Sequence, residues 1–237
     1  TEQGEMLLRT VRDVMLKLSA VKTRLSDSRD KPHGELRVTT TLGIGTNWLT
    51  PRLGEFLELY PEIQLKILLT DDELDLGMRE ADVAIRMREP VQPDLIRRRL
   101  FTMHFHAYAS ADYLKRHGQP RTPDELDSHR ILSFIADTPS ASINGLPTIG
   151  REPKKPRPTA MRVNNMTALL KAVQAGVGIA LLPDYLINED SGLVRLLPQS
   201  DMPELDCYLV YPEEMKAVAR VQVFRDFLVS KAQRWQF

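Results

Sequence analysis

Leu7, Val11, Val14, Leu18, Val21 and Leu25 recur at spacings of four, three, four, three and four residues. That is the seam of a coiled coil, in which apolar side chains line one stripe of a helix. Arg9, Arg12, Asp13, Lys17, Lys22 and Arg24 lie between them and suit a solvated face. An isolated helix of this length is marginal in water, so the seam needs a cover, either the chain's own domain or the same helix of a second copy. The following stretch, SDSRDKPHG from Ser26 to Gly34, is polar and contains Pro32 and Gly34. It reads as a linker rather than a tight return onto a core, which favours a second copy, in a homodimer or tetramer.

Beyond the linker the period shortens. Leu36 to Thr40 is β-prone and runs into Gly43 and Gly45; Leu49, Leu53, Phe56, Leu57 and Tyr60 then share a helical face that Pro61 stops. Ile63, Leu65, Ile67 and Leu69 alternate as a strand, and Asp82 to Arg86, Leu95 to Leu100 and Phe105 to Ala109 are three more. Ser110 is placed to cap a helix over Ala111 to His117, with Gly118 ending it. Thr122, Pro123 and Glu125 have the form of a capping box with proline at the first helical position. Ile131 to Ile135 is a strand, and the Pro-, Ser- and Gly-rich stretch 137–158 a long exposed loop. AMRVNNMTALLKAVQAGVGIALLP reads as strand, asparagine cap, helix closed by Gly176, and a buried strand from Gly178 to Leu182. Cys207 to Tyr211 is a strand, and Ala217 to Ala232 a helix with Val221, Phe224 and Leu228 inward. Strands separated by helical runs imply a parallel or mixed sheet covered on both faces.

Charge narrows the functional classes. Lysine plus arginine equals aspartate plus glutamate, at 32 each in 237 residues. A domain that grips nucleic acid by itself carries a basic excess, so DNA contact would have to come from residues outside this sequence. Cys207 is the single cysteine, which rules out an intrachain disulfide and points to a reducing, cytoplasmic setting. No stretch is apolar and long enough to span a bilayer, and the first residues lack a signal-peptide core.

The order of these pieces resembles the regulatory region of LysR-type transcriptional regulators, nearly end to end. TEQGEMLL resembles the junction leaving a winged helix, and the helix after it the family's dimerising linker helix. GELRVTTTLGIGTNWLTPRLGEFLELYP resembles the first strand and helix of the effector domain. DVAIRM, DLIRRRLF and YASADYLKRHGQPRTPDELDSHRILSF resemble the segments that cross into a second lobe; AVQAGVGIALLPDYL and RVQVFRDFL resemble the later elements. The resemblance implies an α/β fold of two lobes, like a type II periplasmic binding protein, preceded by the linker helix. The linker would occupy 1–33, lobe one 34–107 plus 208–237, and lobe two 108–207. It also implies promoter DNA bound through a winged-helix domain absent from this sequence, a small-molecule effector between the lobes, no cofactor and no catalysis.

The candidate effector site follows from strand ends. Thr39, Thr40 and Thr41 stand where a strand gives way to a helix. Open α/β sheets bind ligands at the carboxyl ends of their strands, and a helix start offers unpaired amides. Thr40 and Thr41 are also where the resemblance puts effector contacts, with Leu42 beside them. Capping alone is the competing explanation for the threonines. Asn164 and Asn165 occupy the equivalent position in lobe two, again as binding residues or caps. Arg86 and Phe134 end two further strands; Arg86 either pairs with a carboxylate ligand or forms a surface ion pair.

Other motifs carry less. Arg97, Arg98 and Arg99 would be scattered over two strand faces. Lys154, Lys155 and Arg157 lie in a proline-broken loop too short to bind DNA well. His104 and His106 share a face without a third metal ligand, and no metal is expected. Cys207 reads as a small core residue. The alternative to a sensor is a periplasmic-type solute-binding protein for a small polar or anionic metabolite, against which the Leu7 to Leu25 seam argues.

Overall fold

A computed structural model describes residues 1, 3, 4, 7, 10, 11, 14, 32–71, 74, 76, 80–87, 94–135, 145–152 and 154–233. In chain order its strands are β1 (Gly34–Thr40), β2 (Ile63–Leu69), β3 (Val83–Arg86), β4 (Leu95–Ser110), β5 (Ile131–Phe134), β6 (Thr159–Val163), β7 (Ala180–Pro183), β8 (Leu193–Leu196) and β9 (Glu204–Pro212). The main helices are α1 (Leu53–Leu59), α2 (Ala111–His117), α3 (Met166–Gln174) and α4 (Ala219–Gln233). The chain divides into two compact units, Thr1–Phe101 with Asp206–Gln236, and Thr102–Leu205. No helix of the described residues is long and apolar enough to cross a membrane.

The first unit is built on β1. This strand runs parallel to β2, from Gly34 opposite Ile63 to Thr40 opposite Leu69, and parallel to β3, with Thr40 opposite Ile85. β9 lies antiparallel on the far side of β3. Leu36 and Val38 are wholly buried, and so are Thr39 and Thr40 on opposite faces of the strand. β2 is the edge strand, which is why Leu69 is exposed although the alternation pointed it inward.

The expected helix from Leu49 to Tyr60 is in fact four pieces. A single turn (Leu42–Ile44) widens into a π-helical stretch (Gly45–Leu49), tightens to a 3-10 turn (Thr50–Arg52), and only then becomes α1. Pro51 explains the break, since it has no amide for an i→i−4 bond. The Thr50 hydroxyl donates instead to the Gly45 carbonyl at 2.7 Å. Leu49, Leu53 and Phe56 are buried as expected, whereas Leu57 is 41% exposed, because the altered winding rotates it off the core face. α4 closes the unit with Val221, Phe224 and Leu228 inward. The Phe224 ring meets Phe56 edge-on at 5.2 Å, and the buried Arg220 donates to the Glu35 carbonyl at 2.9 Å.

The two separate strands expected at Leu95 to Leu100 and Phe105 to Ala109 are one strand of 16 residues, β4. Its first half carries the exposed Arg97, Arg98 and Arg99, and the stretch Phe101 to His104 continues the strand between the two expected pieces. β4 leaves the first unit between Phe101 and Thr102, and β9 returns between Leu205 and Asp206.

In the second unit β4 is flanked by β7 and β8, both antiparallel to it. β5 and β6 form a parallel pair, joined to the residue leading into β7 by the Leu132 amide donating to the Ile179 carbonyl at 2.8 Å. That approach needs Gly178, because a Cβ there would stand 2.4 Å from the Arg130 carbonyl oxygen. α2 has the expected ends, with Ser110 Oγ accepting from the Tyr113 amide at 3.3 Å and Gly118 beyond the last turn. The TPDEL stretch forms a 3-10 helix (Asp124–Ser128) without the expected capping box: its N-cap is Pro123, and Glu125 instead accepts from the Arg121 amide at 2.8 Å and the Thr122 hydroxyl at 3.3 Å.

Arg157 departs from its reading as part of a solvated basic loop. It is 3% exposed and its guanidinium donates to Asp127 at 2.6 Å, the Ile149 carbonyl at 2.5 Å and the Pro123 carbonyl at 2.6 Å. Arg151 pairs with the other Asp127 oxygen, and these two arginines hold the Asp127 carboxyl below the usual range, Arg151 most. Replacing Arg157 with alanine strands two buried carbonyls and empties the space between them, at a cost of about 2–4 kcal/mol. Lysine recovers only part of it, lacking the planar fork. Urea unfolding of R157A and R157K is expected to give that order of midpoints.

Candidate functional site

β1 and β3 are parallel neighbours, so Thr40, Thr41 and Arg86 come to the same carboxyl end of the first unit's sheet. Thr39 lies opposite Ala84, and the alternation of the strands puts Thr39 and Arg86 on one face and Thr40 on the other. The Arg86 guanidinium donates to Thr39 Oγ1 at 3.1 Å. The half-buried guanidinium is thus turned onto a buried hydroxyl.

The threonines do not act as caps. Thr41 is the residue before the Leu42–Ile44 turn, yet its side chain accepts no hydrogen bond from that turn. Its carbonyl takes the Gly45 amide at 2.9 Å, while its hydroxyl oxygen is buried without a hydrogen-bond partner among the described residues. Thr40 is 0% exposed and its hydroxyl is in the same condition. A buried hydroxyl without a partner costs stability.

Gly45 brings the helical segment down onto this strand end. A Cβ at this position would stand 2.1 Å from Leu69 Cδ2 and 2.9 Å from the Thr40 methyl group. Only glycine lets the π-helical turn sit so close, and π-helical insertions recur at binding sites. Leu42 occupies the first turn and is partly exposed. Reading the sequence placed Gly45 between the first strand and its helix and missed its packing role, which depends on a contact from β2.

In the second unit, β5 and β6 end side by side with Phe134 opposite Val163. Phe134 is partly exposed and Asn164 exposed just beyond the strand ends. Asn165 Oδ1 accepts from the Ala168 amide at 2.8 Å and caps α3, so the capping explanation holds for this residue and fails for Thr41.

Of the remaining candidates, Leu7, Val11 and Val14 are helical and 65%, 50% and 51% exposed. Leu18, Val21 and Leu25 lie outside the described residues. Cys207 is wholly buried, and burial pushes its thiol far up, which keeps it protonated and unreactive. No group of three or more metal-ligating side chains occurs among the described residues.

Comparison with known proteins assigns the arrangement. Residues 29–233 match the family model described as the LysR substrate binding domain. An HTH-type transcriptional regulator of Xanthomonas campestris pv. campestris is 31% identical over 240 residues, covering 98% of this chain and 69% of the relative. The HTH-type transcriptional regulator CrgA of Neisseria meningitidis serogroup C is 29% identical, covering 98% of this chain and 78% of that protein. The solved CrgA regulatory domain superposes with a TM-score of 0.75 at 27% identity, covering 85% of this chain and all of that one. Full-length AphB of Vibrio cholerae shares the fold, with a TM-score of 0.73 at 24% identity over 97% of this chain and 79% of that one.

The unpartnered hydroxyls make a prediction that separates binding from structure. Thr40→Val keeps the shape and deletes the stranded polar atom, so the variant is expected to be more stable by about 1 kcal/mol. A lower urea midpoint in T40V would show that the hydroxyl supports the fold.

Proposed function

The chain belongs to the LysR substrate binding domain family, and we propose that its regulatory effector is a small polar or anionic molecule held at the ends of β1 and β3 by Thr40, Thr41 and Arg86. The family is one of transcriptional regulators, and the most similar relatives are named as such, which sets aside the solute-receptor alternative. The observation that carries the site is the pair of buried Thr40 and Thr41 hydroxyls with no partner among the described residues. Arg86 supplies positive charge on the neighbouring strand, and a guanidinium can meet a carboxylate with a fork of N–H groups. Leu42 contributes apolar contact from the first turn. In the second unit, Asn165 is a cap.

The effector is bound and released unchanged in this reading, and acts by favouring one arrangement of the oligomer over another, which demands different affinity for the two. The copies pair in part through the first helix, whose Leu7, Val11 and Val14 side chains are exposed at heptad spacing. Promoter DNA is reached through the winged-helix region named in its relatives as HTH. A regulator works beside its DNA, so we place the chain in the cytoplasm.

Two outcomes are expected. A thermal-shift screen of small carboxylates and polar metabolites yields a stabilising compound, and Thr41→Val weakens its binding in calorimetry at least tenfold, by about 1.4 kcal/mol or more; undiminished binding by T41V removes Thr41 from the site. Val11→Asp combined with Val14→Asp puts charges into the seam and lowers the sedimenting mass at micromolar concentration, while an unaltered mass rejects pairing through this helix.

A further inference from the structure

Thr40 and Leu69 stand opposite each other at the ends of β1 and β2, and the Thr70 amide continues the ladder by donating to the Thr40 carbonyl at 3.0 Å. Gly45 comes down onto this pair. A Cβ on Gly45 would lie 2.1 Å from Leu69 Cδ2 and 2.9 Å from the Thr40 methyl carbon. Those two side chains therefore fill the space that any other residue at 45 would need. The Gly45 backbone itself is ordinary, with φ −58° and ψ −50°, a conformation open to every residue. The position uses the glycine's missing side chain and not its conformational freedom.

Gly45 is pinned in this seat through its carbonyl. The Thr50 amide closes the π turn onto it, and the Thr50 hydroxyl donates to the same oxygen at 2.7 Å. Neighbouring carbonyls are served in the same way. Asn47 Nδ2 donates to the Gly43 carbonyl at 2.9 Å and Arg52 Nη1 to the Trp48 carbonyl at 2.6 Å. A π turn bonds an amide to the carbonyl five residues back, and Pro51 has no amide to give. Side chains thus supply bonds that a regular helix would draw from its backbone.

The Thr40 hydroxyl has no hydrogen-bond partner among the described residues, so its direction is left to packing. Threonine carries its methyl and hydroxyl on one carbon and populates few rotamers, so a contact that fixes one group fixes the other. We propose that Gly45, pinned by the Thr50 hydroxyl, is a positioning residue of the candidate site, and that its contact with the Thr40 methyl group sets the direction of the Thr40 hydroxyl before a ligand arrives. The functional meaning rests on the reading of Thr40 as an effector contact: a group already oriented costs less to order on binding.

Three-bond couplings from the Thr40 methyl carbon to its amide nitrogen and carbonyl carbon report the rotamer, and they are measured on the ligand-free full chain. The parent is expected to show the couplings of one staggered rotamer. Thr50 is exposed, so Thr50→Val removes the hydroxyl without disturbing the core. A second Thr40 rotamer is then expected to grow in by roughly two- to tenfold, the effect of losing one hydrogen bond. Thr50→Ser keeps the hydroxyl and is expected to restore the parent couplings, while Val38 on the same strand keeps its own in every variant. Gly45→Ala drives a methyl group into the contact and is expected to shift the Thr40 couplings further; should it fail to fold, Thr50→Val decides alone. Couplings already averaged in the parent, or unchanged in Thr50→Val or in a folded Gly45→Ala, overturn the proposal. Failure of the site itself shows separately, as undiminished effector binding by Thr41→Val.

Discussion

A parallel strand covered on both faces must find a partner for every polar atom it buries, and β1 fails to do so at its carboxyl end. Its backbone pairs with β2 from Gly34 to Thr40 and with β3 from Val38 to Thr40, and Leu36 and Val38 are buried in the core of the first unit. At Thr39, Thr40 and Thr41 the same burial encloses three hydroxyls. One is taken by Arg86; two have no partner among the described residues. Everything next to them serves this local arrangement: Gly45 lets the helical segment descend, and Pro51 with Thr50 loosens that segment into a π-helical turn. The fold tolerates a polar deficit here because the rest of the strand is so well packed, the usual compromise between stability and binding.

The second unit resolves the same problem in the opposite way. Asn165 is at the corresponding strand-to-helix position, and its side chain is consumed by the Ala168 amide. Arg157, brought in from a proline-bounded turn, satisfies two carbonyls and an acid at once. One strand end in the first unit therefore retains unused hydrogen-bonding capacity, while the polar atoms buried by Arg157 and Asn165 are spent on architecture.

What could be read in the sequence was what local chemistry decides. Ser110 with Gly118, Asn165 with Gly176, and the inward row of Val221, Phe224 and Leu228 each announce themselves within a dozen residues. The strand-end threonines could be located, but their lack of partners could not, since a cap and a binding hydroxyl look alike in one dimension. β4 was cut in two at Phe101 to His104, where mixed apolar and polar residues carry no sign that the ladder of backbone hydrogen bonds continues. Arg157 gave no local sign at all. Its partners are Asp127, Pro123 and Ile149, and only tertiary packing brings a basic loop residue to a buried hole.

The uninterrupted course of β4 through both units limits how this protein can vary in length. Where two units are joined by a loop, an extra residue is absorbed by slack. A residue added between Phe101 and Thr102 would turn every later side chain of the strand to the opposite face. Met103, Phe105 and Ala107, all buried, would exchange places with His104, His106 and Tyr108. A descendant gene can therefore lengthen its surface turns freely, whereas the joint between the units is counted residue by residue.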